Sequence, residues 1–220
     1  MPDSNPTNDT QRPSDASPRI SEPLFPITTS SLDRFLAYEY DAATDSHSLI
    51  ATRDLEPDTH IAYITTHTPE PTPLYSTVQT SRTTHIELNS PLLYLNHSCS
   101  PTASIHIFSP DPSTGQYPTT LPDDFTRGLN APGSVEPGDH GIAGEVRVGE
   151  KGVRKEEGVT FFYPCTEWSM GRGFECKCDE EGCLGWIEGA KSLSRAQMQG
   201  KGQVAEWVWD MMRERHGEVA

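Results

Sequence analysis

Three cysteines stand within eight residues, at Cys176-Lys177-Cys178-Asp179-Glu180-Glu181-Gly182-Cys183. Thiolates that close together can converge on one zinc ion. A structural zinc is tetrahedral, so a fourth ligand must come from elsewhere in the chain. Cys99, Cys165 and the eight histidines are the candidates. A second group is Asn96-His97-Ser98-Cys99-Ser100-Pro101, which taken alone reads equally well as a polar turn closing a strand. A third is Tyr163, at the end of the apolar run Val159-Thr160-Phe161-Phe162-Tyr163; alone, it reads as a strand tyrosine at a core edge.

The elements that must position these groups are mostly short strands. Runs rich in Thr, Val, Ile and Tyr suit pleated, half-buried surfaces. They predict strands at Ser48–Thr52, Thr59–Thr65, Leu74–Gln79, Thr83–Leu88, Ile105–Phe108, Glu145–Val148 and Val159–Tyr163. Turns are expected at 54–58 and 80–82. Val204, Trp207, Val208, Met211 and Met212 fall at i, i+3, i+4, i+7 and i+8, one apolar stripe of a helix that packs on the body. Arg213, Arg215 and His216 sit in its last turn, where cations suit the helix dipole, and Gly217 is a plausible cap.

Residues 1–31 hold six prolines and ten Ser or Thr with no apolar period, the composition of a disordered tail. Residues 109–140 hold six prolines and four glycines, the composition of a long loop, read here as an insertion. Hydrophobic residues make up 34% of the chain, which implies a modest core diluted by irregular segments. No apolar run is long enough to span a bilayer, so no membrane partner is expected. Residues 1–31 lack a basic segment followed by an apolar core, and five cysteines are an odd number for a disulfide framework. An intracellular setting is therefore expected, with nucleus and cytoplasm undistinguished. The 17 Lys and Arg against 32 Asp and Glu give a net charge of −15. That sign opposes direct binding of nucleic acid through overall charge and permits a basic partner.

Taken together and in order, the three groups resemble the SET-domain protein-lysine methyltransferases. Asn96 to Pro101 is similar to that family's N-H-S-C-x-P motif. Val159 to Tyr163 resembles the strand ending in its active-site tyrosine, and Phe174 through Gly185 its cysteine-rich post-SET segment. Ala51 to Pro57 resembles the opening of the domain, and Tyr75 to Leu88 its middle strands. The variety most similar is the small fungal SET and post-SET proteins, on the strength of Phe161-Phe162-Tyr163-Pro164-Cys165-Thr166-Glu167-Trp168.

The resemblance implies a mainly β SET fold of short sheets with a threaded C-terminal segment and a C-terminal helix. It divides the chain into a tail at 1–31, a SET-like domain at 32–168 carrying the insertion, a post-SET zinc segment at 169–190 and a helical tail at 191–220. It implies that Cys99 joins Cys176, Cys178 and Cys183 around one structural zinc. It implies S-adenosylmethionine as cofactor, held at Asn96 and the backbone of His97, with Tyr163 orienting a substrate amine. The expected activity is methyl transfer to a protein lysine in a basic segment such as a histone tail. Three positions depart from the family pattern: Ser46-His47-Ser48 stands where it carries G-x-G, Thr102 where Asn is usual, and Phe162 where a polar residue is usual. The first of these motivates an alternative, a catalytically weak or inactive zinc-stapled interaction module. Trp168, Phe174 and Trp186 are further candidates for lining the cofactor or lysine channel.

Overall fold

Alternation of apolar and polar residues along short extended segments organises the described residues into five small sheets. The structure, a computed structural model, describes residues 31–120, 140–215 and 217. The tail at 1–30, most of the expected insertion (121–139) and His216 lie outside the described residues.

Strands β1 (Leu36–Asp41) and β2 (Ser46–Ala51) form an antiparallel hairpin with Leu36 opposite Ala51 and Asp41 opposite Ser46. Its turn is built by Asp41, whose carboxylate accepts from the Ala43 N–H and the Thr44 hydroxyl. Strand β3 (His60–Ile64) lies beside β9 (Gly144–Val148), which pairs in turn with β8 (Ala103–Ile107), both antiparallel. A second three-stranded sheet has β6 (His85–Leu88) between β4 (His67–Glu70) and β5 (Thr77–Gln79). Strand β4 was not expected from sequence because Pro69 interrupts it. It is an edge strand, where a missing N–H costs no ladder bond.

The β3-β9-β8 sheet shows how the strand period sorts residues. Val146 and Val148, with Ala103 and Ile105 opposite, enter the main core. Glu145 and Arg147 turn to the other face. Glu145 is fully buried there, with Arg147 Nε at 2.7 Å, His106 Nδ1 at 3.5 Å and His60 Nε2 at 3.6 Å. Burial, reinforced by the Arg147 charge, holds His60 down at about 4.

The key junction is a parallel pair. Strand β7 (Asn96–His97) lies beside β10 (Thr160–Phe161), with Asn96 opposite Thr160 and His97 opposite Phe161. The last residue of β10 and the one that follows it then serve different cores. Phe161 is buried in the main one, while Phe162 is 1% exposed in a second cluster with Cys99, Cys165, Ile187, Met198 and Trp207. The apolar residue at 162 is thereby explained, since a polar side chain there would be buried between His97 and the C-terminal elements. Thr102 also has a task. Its hydroxyl donates to the Gly158 carbonyl and accepts from the Thr160 N–H, both at 2.9 Å, so it pins β10 in place.

Strands β11 (Phe174–Glu175) and β12 (Trp186–Ile187) bracket the cysteine-rich turn. Helix α1 (Arg195–Met198) carries a capping box between Ser194 and Gln197, and α2 (Glu206–Arg215) closes the second core. The expected stripe is there, with Trp207, Val208 and Met212 buried on α2 and Val204 buried just ahead of it. Gly217 takes φ +71° and its N–H reaches the Glu214 carbonyl, as a C-terminal cap requires. The fold is thus mainly β with a C-terminal helix, compatible with the architecture that the resemblance implies. No helix among the described residues is long and apolar enough to cross a membrane.

Candidate functional site

The cysteine turn is shaped by backbone first. Asp179 and Gly185 both take positive φ, and the Cys176 N–H reaches back to the Gly185 carbonyl at 2.6 Å. This curls Cys176, Cys178 and Cys183 toward Cys99, which follows β7 and is fully buried. The four Sγ atoms all lie within 4.8 Å of one another, with Cys99 and Cys176 at 3.9 Å. A tetrahedral zinc–thiolate site has sulfur–sulfur edges of about 3.8 Å. The set therefore could hold a metal ion, and its donors are those that zinc prefers. Cys165 is not in the set. It is buried, its Sγ lies 3.6 Å from the Lys201 carbonyl oxygen, and burial pushes its thiol up to about 12. Burial likewise raises the Cys99 and Cys176 thiols. At Cys178 burial pulls the same way, but hydrogen bonds from backbone and neighbouring thiols outweigh it and hold this thiol at about 7.

His97 joins the thiols to Tyr163. The Tyr163 N–H can only donate, so the His97 Nδ1 that it meets at 3.3 Å is an acceptor. The proton then sits on Nε2, which lies 3.5 Å from Cys99 Sγ and donates to it. The Leu184 N–H at 3.4 Å is a second donor to the same sulfur. Lys201 completes the surround, with Nζ donating to the Cys99 carbonyl at 2.5 Å.

Tyr163 is held on several sides. Its ring packs against Phe161, His97 and Phe174, with centroids 4.6, 5.2 and 6.0 Å away. Its hydroxyl donates to the Leu95 carbonyl at 2.9 Å, and burial, helped by Glu167, raises its pKa well above the usual phenol range. The hydroxyl is thus a protonated, oriented dipole and not a base.

Ser46, His47 and Ser48 lie on β2 and do meet Asn96, whose Nδ2 donates to the His47 carbonyl at 2.7 Å. His47 points its ring among Tyr38, Tyr40 and Tyr94, at centroid distances of 5.8, 5.0 and 5.5 Å, and Nδ1 bonds the Tyr38 hydroxyl. The side chain in the middle of the Ser46-His47-Ser48 segment is therefore accommodated in an aromatic box. Ser46 is exposed in the turn and bonded to Thr44. Asn96 keeps Oδ1 without a hydrogen-bond partner among the described residues, so one acceptor remains there for a polar ligand.

A small, narrow cleft of about 40 Å³ opens beside Tyr163. One wall is aliphatic, from Val78, Leu88, Leu92 and Leu95; the rest is polar, from Ser76, Thr77, Glu167 and Arg172, and Leu74 and Tyr75 also line it, the latter 90% exposed. Of the three aromatics expected to line a channel, none lines this cleft. Phe174 packs on Tyr163 and His97 from outside it, Trp168 is half-buried beneath Arg215, and Trp186 is exposed with Nε1 bonded to Glu188.

Sequence reasoning did not single out Glu167, which lies in the cleft wall and is 6% exposed. Its Oε1 accepts from the Gln79 N–H at 2.7 Å, and the Trp168 N–H in turn donates to Gln79 Oε1 at 3.0 Å. Burial pushes its carboxyl up to about 8. A signal for it existed: Glu167 is the single charge in Val159–Trp168, a run otherwise built to be buried.

No family model matches the sequence. A partial match is found to "Methyltransferase flvH" of Aspergillus flavus, 34% identical over 131 residues, which are 59% of this chain and 54% of that protein. The chain thus aligns with about half the length of a curated fungal relative whose name is that of a methyltransferase.

Proposed function

We propose that this protein transfers a methyl group from S-adenosylmethionine to the side-chain amine of a protein lysine. The observation that carries the reading is the convergence of Asn96, His97, Cys99 and Tyr163, brought together by the parallel pair β7–β10 beside a partly aliphatic cleft. The partial likeness to a methyltransferase supports the same class of chemistry. When bound, the cofactor supplies an electrophilic methyl on sulfonium, so no covalent nucleophile is asked of the protein. Asn96, the backbone of His97 and the Ser46–Ser48 segment would hold it. The chain's own part is to place an amine, orient it with the Tyr163 hydroxyl and exclude water. Burial against the aliphatic wall favours the neutral amine that the reaction needs.

In this reading residues 32–168 form the catalytic body. Residues 169–190 are docked onto it by one structural zinc on Cys99, Cys176, Cys178 and Cys183, and 191–220 pack behind. The net charge of −15 favours a basic peptide as partner by long-range attraction.

The test is calorimetric titration of zinc-loaded protein with S-adenosylmethionine and its demethylated product, followed by transfer of labelled methyl to histone and non-histone lysine peptides. One-to-one binding with label on lysine supports the reading. A folded, zinc-bound protein that binds neither ligand refutes it and favours the interaction module. The departure behind that second reading is Ser46 and Ser48, which stand where the family pattern carries glycines.

A further inference from the structure

Glu167 does more than its hydrogen bonds require. Clamping the Gln79 N–H needs only an acceptor oxygen, which a glutamine would supply as well without the cost of burying an acid. The side chain is nevertheless a carboxyl, buried in a cleft with one aliphatic wall, and it forms no ion pair among the described residues. Oε1 is taken by the Gln79 N–H and by a longer bond from the Thr166 hydroxyl at 3.4 Å. Oε2 has no hydrogen bond among the described residues. Other polar groups around the cleft are the Tyr163 hydroxyl, committed to Leu95, Arg172 in the wall, and Glu87, held by Ser76. None of them neutralises Glu167 by direct contact.

We propose that Glu167 is the residue that recognises the substrate's ammonium group, its Oε2 meeting the charged head of a primary amine whose alkyl stem lies along Val78, Leu88 and Leu95. This rests on the cleft being the substrate site of the function proposed above. Val78, Leu88 and Leu95 give the alkyl stem an apolar wall to lie against, and the exposed Leu74 and Tyr75 offer a place for the flanking chain. A carboxyl held protonated by burial becomes the better acceptor once ionised. Binding therefore proceeds as neutral acid plus ammonium giving a carboxylate–ammonium pair, with one proton released to the buffer; before methyl transfer the ammonium must give its proton up, for which the Glu167 carboxylate is the nearest acceptor, leaving a neutral amine beside a neutral acid.

The experiment titrates the zinc-loaded full chain at pH 7 with Nα-acetyl-lysine amide and with Nα-acetyl-norleucine amide, which lacks the charge, in two buffers of different ionisation enthalpy. The lysine amide is expected to bind at least roughly tenfold tighter, with net proton release. Glu167→Gln keeps the acceptor for Gln79 and is expected to erase both the preference and the release. Retention of both in a folded Glu167→Gln protein overturns the proposal and leaves Glu167 a structural clamp. The wild-type chain provides a readout that does not depend on the variant's folding. Infrared difference spectra should lose a protonated-carboxyl band on adding the lysine amide and not the norleucine amide, and an unchanged band overturns the proposal. The two readings fail separately. Methyl transfer with an unaltered KM in Glu167→Gln overturns this inference alone, whereas charge-selective amine binding without cofactor binding preserves it and removes the methyltransferase reading.

Discussion

Replacing Cys99 by Ser tests the link between the two halves of the molecule. Cys99 and Cys176 are 77 residues apart, whereas the other three cysteines lie within eight residues of one another. Removing Cys99 thus opens the one long loop that a metal would close and leaves only short ones. By analogy with a crosslink, closing a loop of that length contributes about 4–5 kcal/mol through the unfolded state. For a domain of this size that corresponds to a fall in Tm of about 10–20 °C. The assay is a thermal melt with and without a chelator, paired with zinc stoichiometry by chromogenic release. Wild type with chelator should resemble Cys99→Ser, and chelator should add little to the variant, because both act on one interaction. Cys165→Ala is the control; its thiol lies in the second core outside the cluster, so it should keep one zinc and lose only about 1 kcal/mol of packing. A Cys99→Ser protein that holds one zinc per chain with a wild-type midpoint would refute the four-thiolate assignment.

Tyr163→Phe removes a hydroxyl that meets the Leu95 carbonyl; it should cost about 1–2 kcal/mol in a urea melt, preserve cofactor binding and slow methyl transfer or change the number of methyls added. Gly189→Ala should be strongly destabilising, since Gly189 is buried. Residue 189 takes φ +114° and a Cβ there would lie 2.5 Å from the Trp168 carbonyl oxygen, so a loss of more than about 2 kcal/mol in the same melt is expected. His60 is held at about 4 against about 6.5 when unfolded, so its contribution is complete above about pH 6.5 and is lost as pH falls toward 4. Urea midpoints measured between pH 4 and 7 should slope less in His60→Gln. Glu167 runs the opposite way. Its carboxyl is raised to about 8, so its contribution is complete below about pH 4.3 and is lost as pH rises through 8, a slope that Glu167→Gln should remove.

What was legible in the chain follows the range of the interactions concerned. The clustered cysteines at 176–183 announce themselves because three candidate ligands are local, and the α2 stripe because a helix repeats within a few residues. Strands β3, β6 and β9 were readable from β-branched runs. The first hairpin was only half so: Leu36–Asp41 alternates weakly, and its pairing is set by an Asp41 turn that composition does not announce. That Cys99 is the distant fourth thiol followed from the resemblance, since spacing alone left Cys165 and the histidines open. Glu167 and Gln79 form a clamp across 88 residues, beyond any local pattern. The aromatics Trp168 and Trp186 are placed by contacts of similarly long range. Residue type proposes a lining role, but which wall a ring joins depends on how β11 and β12 dock.

The parallel pairing of Asn96-His97 with Thr160-Phe161 sets an order of events during synthesis. A parallel pair has no tight turn to close it, and here its partners are 64 residues apart. As the chain leaves the ribosome, Asn96, His97 and Cys99 emerge long before the strand that seats them and longer still before the three thiols that join Cys99. Until residue 183 is free, the nascent protein presents an unpaired thiol, the unpaired β7 segment and half of its second core to whatever chaperones are near. Translation that stops short of Cys183 then yields a chain that lacks the cluster, so quality control has one late structural event, the capture of Cys99 by the C-terminal turn, that separates finished molecules from unfinished ones.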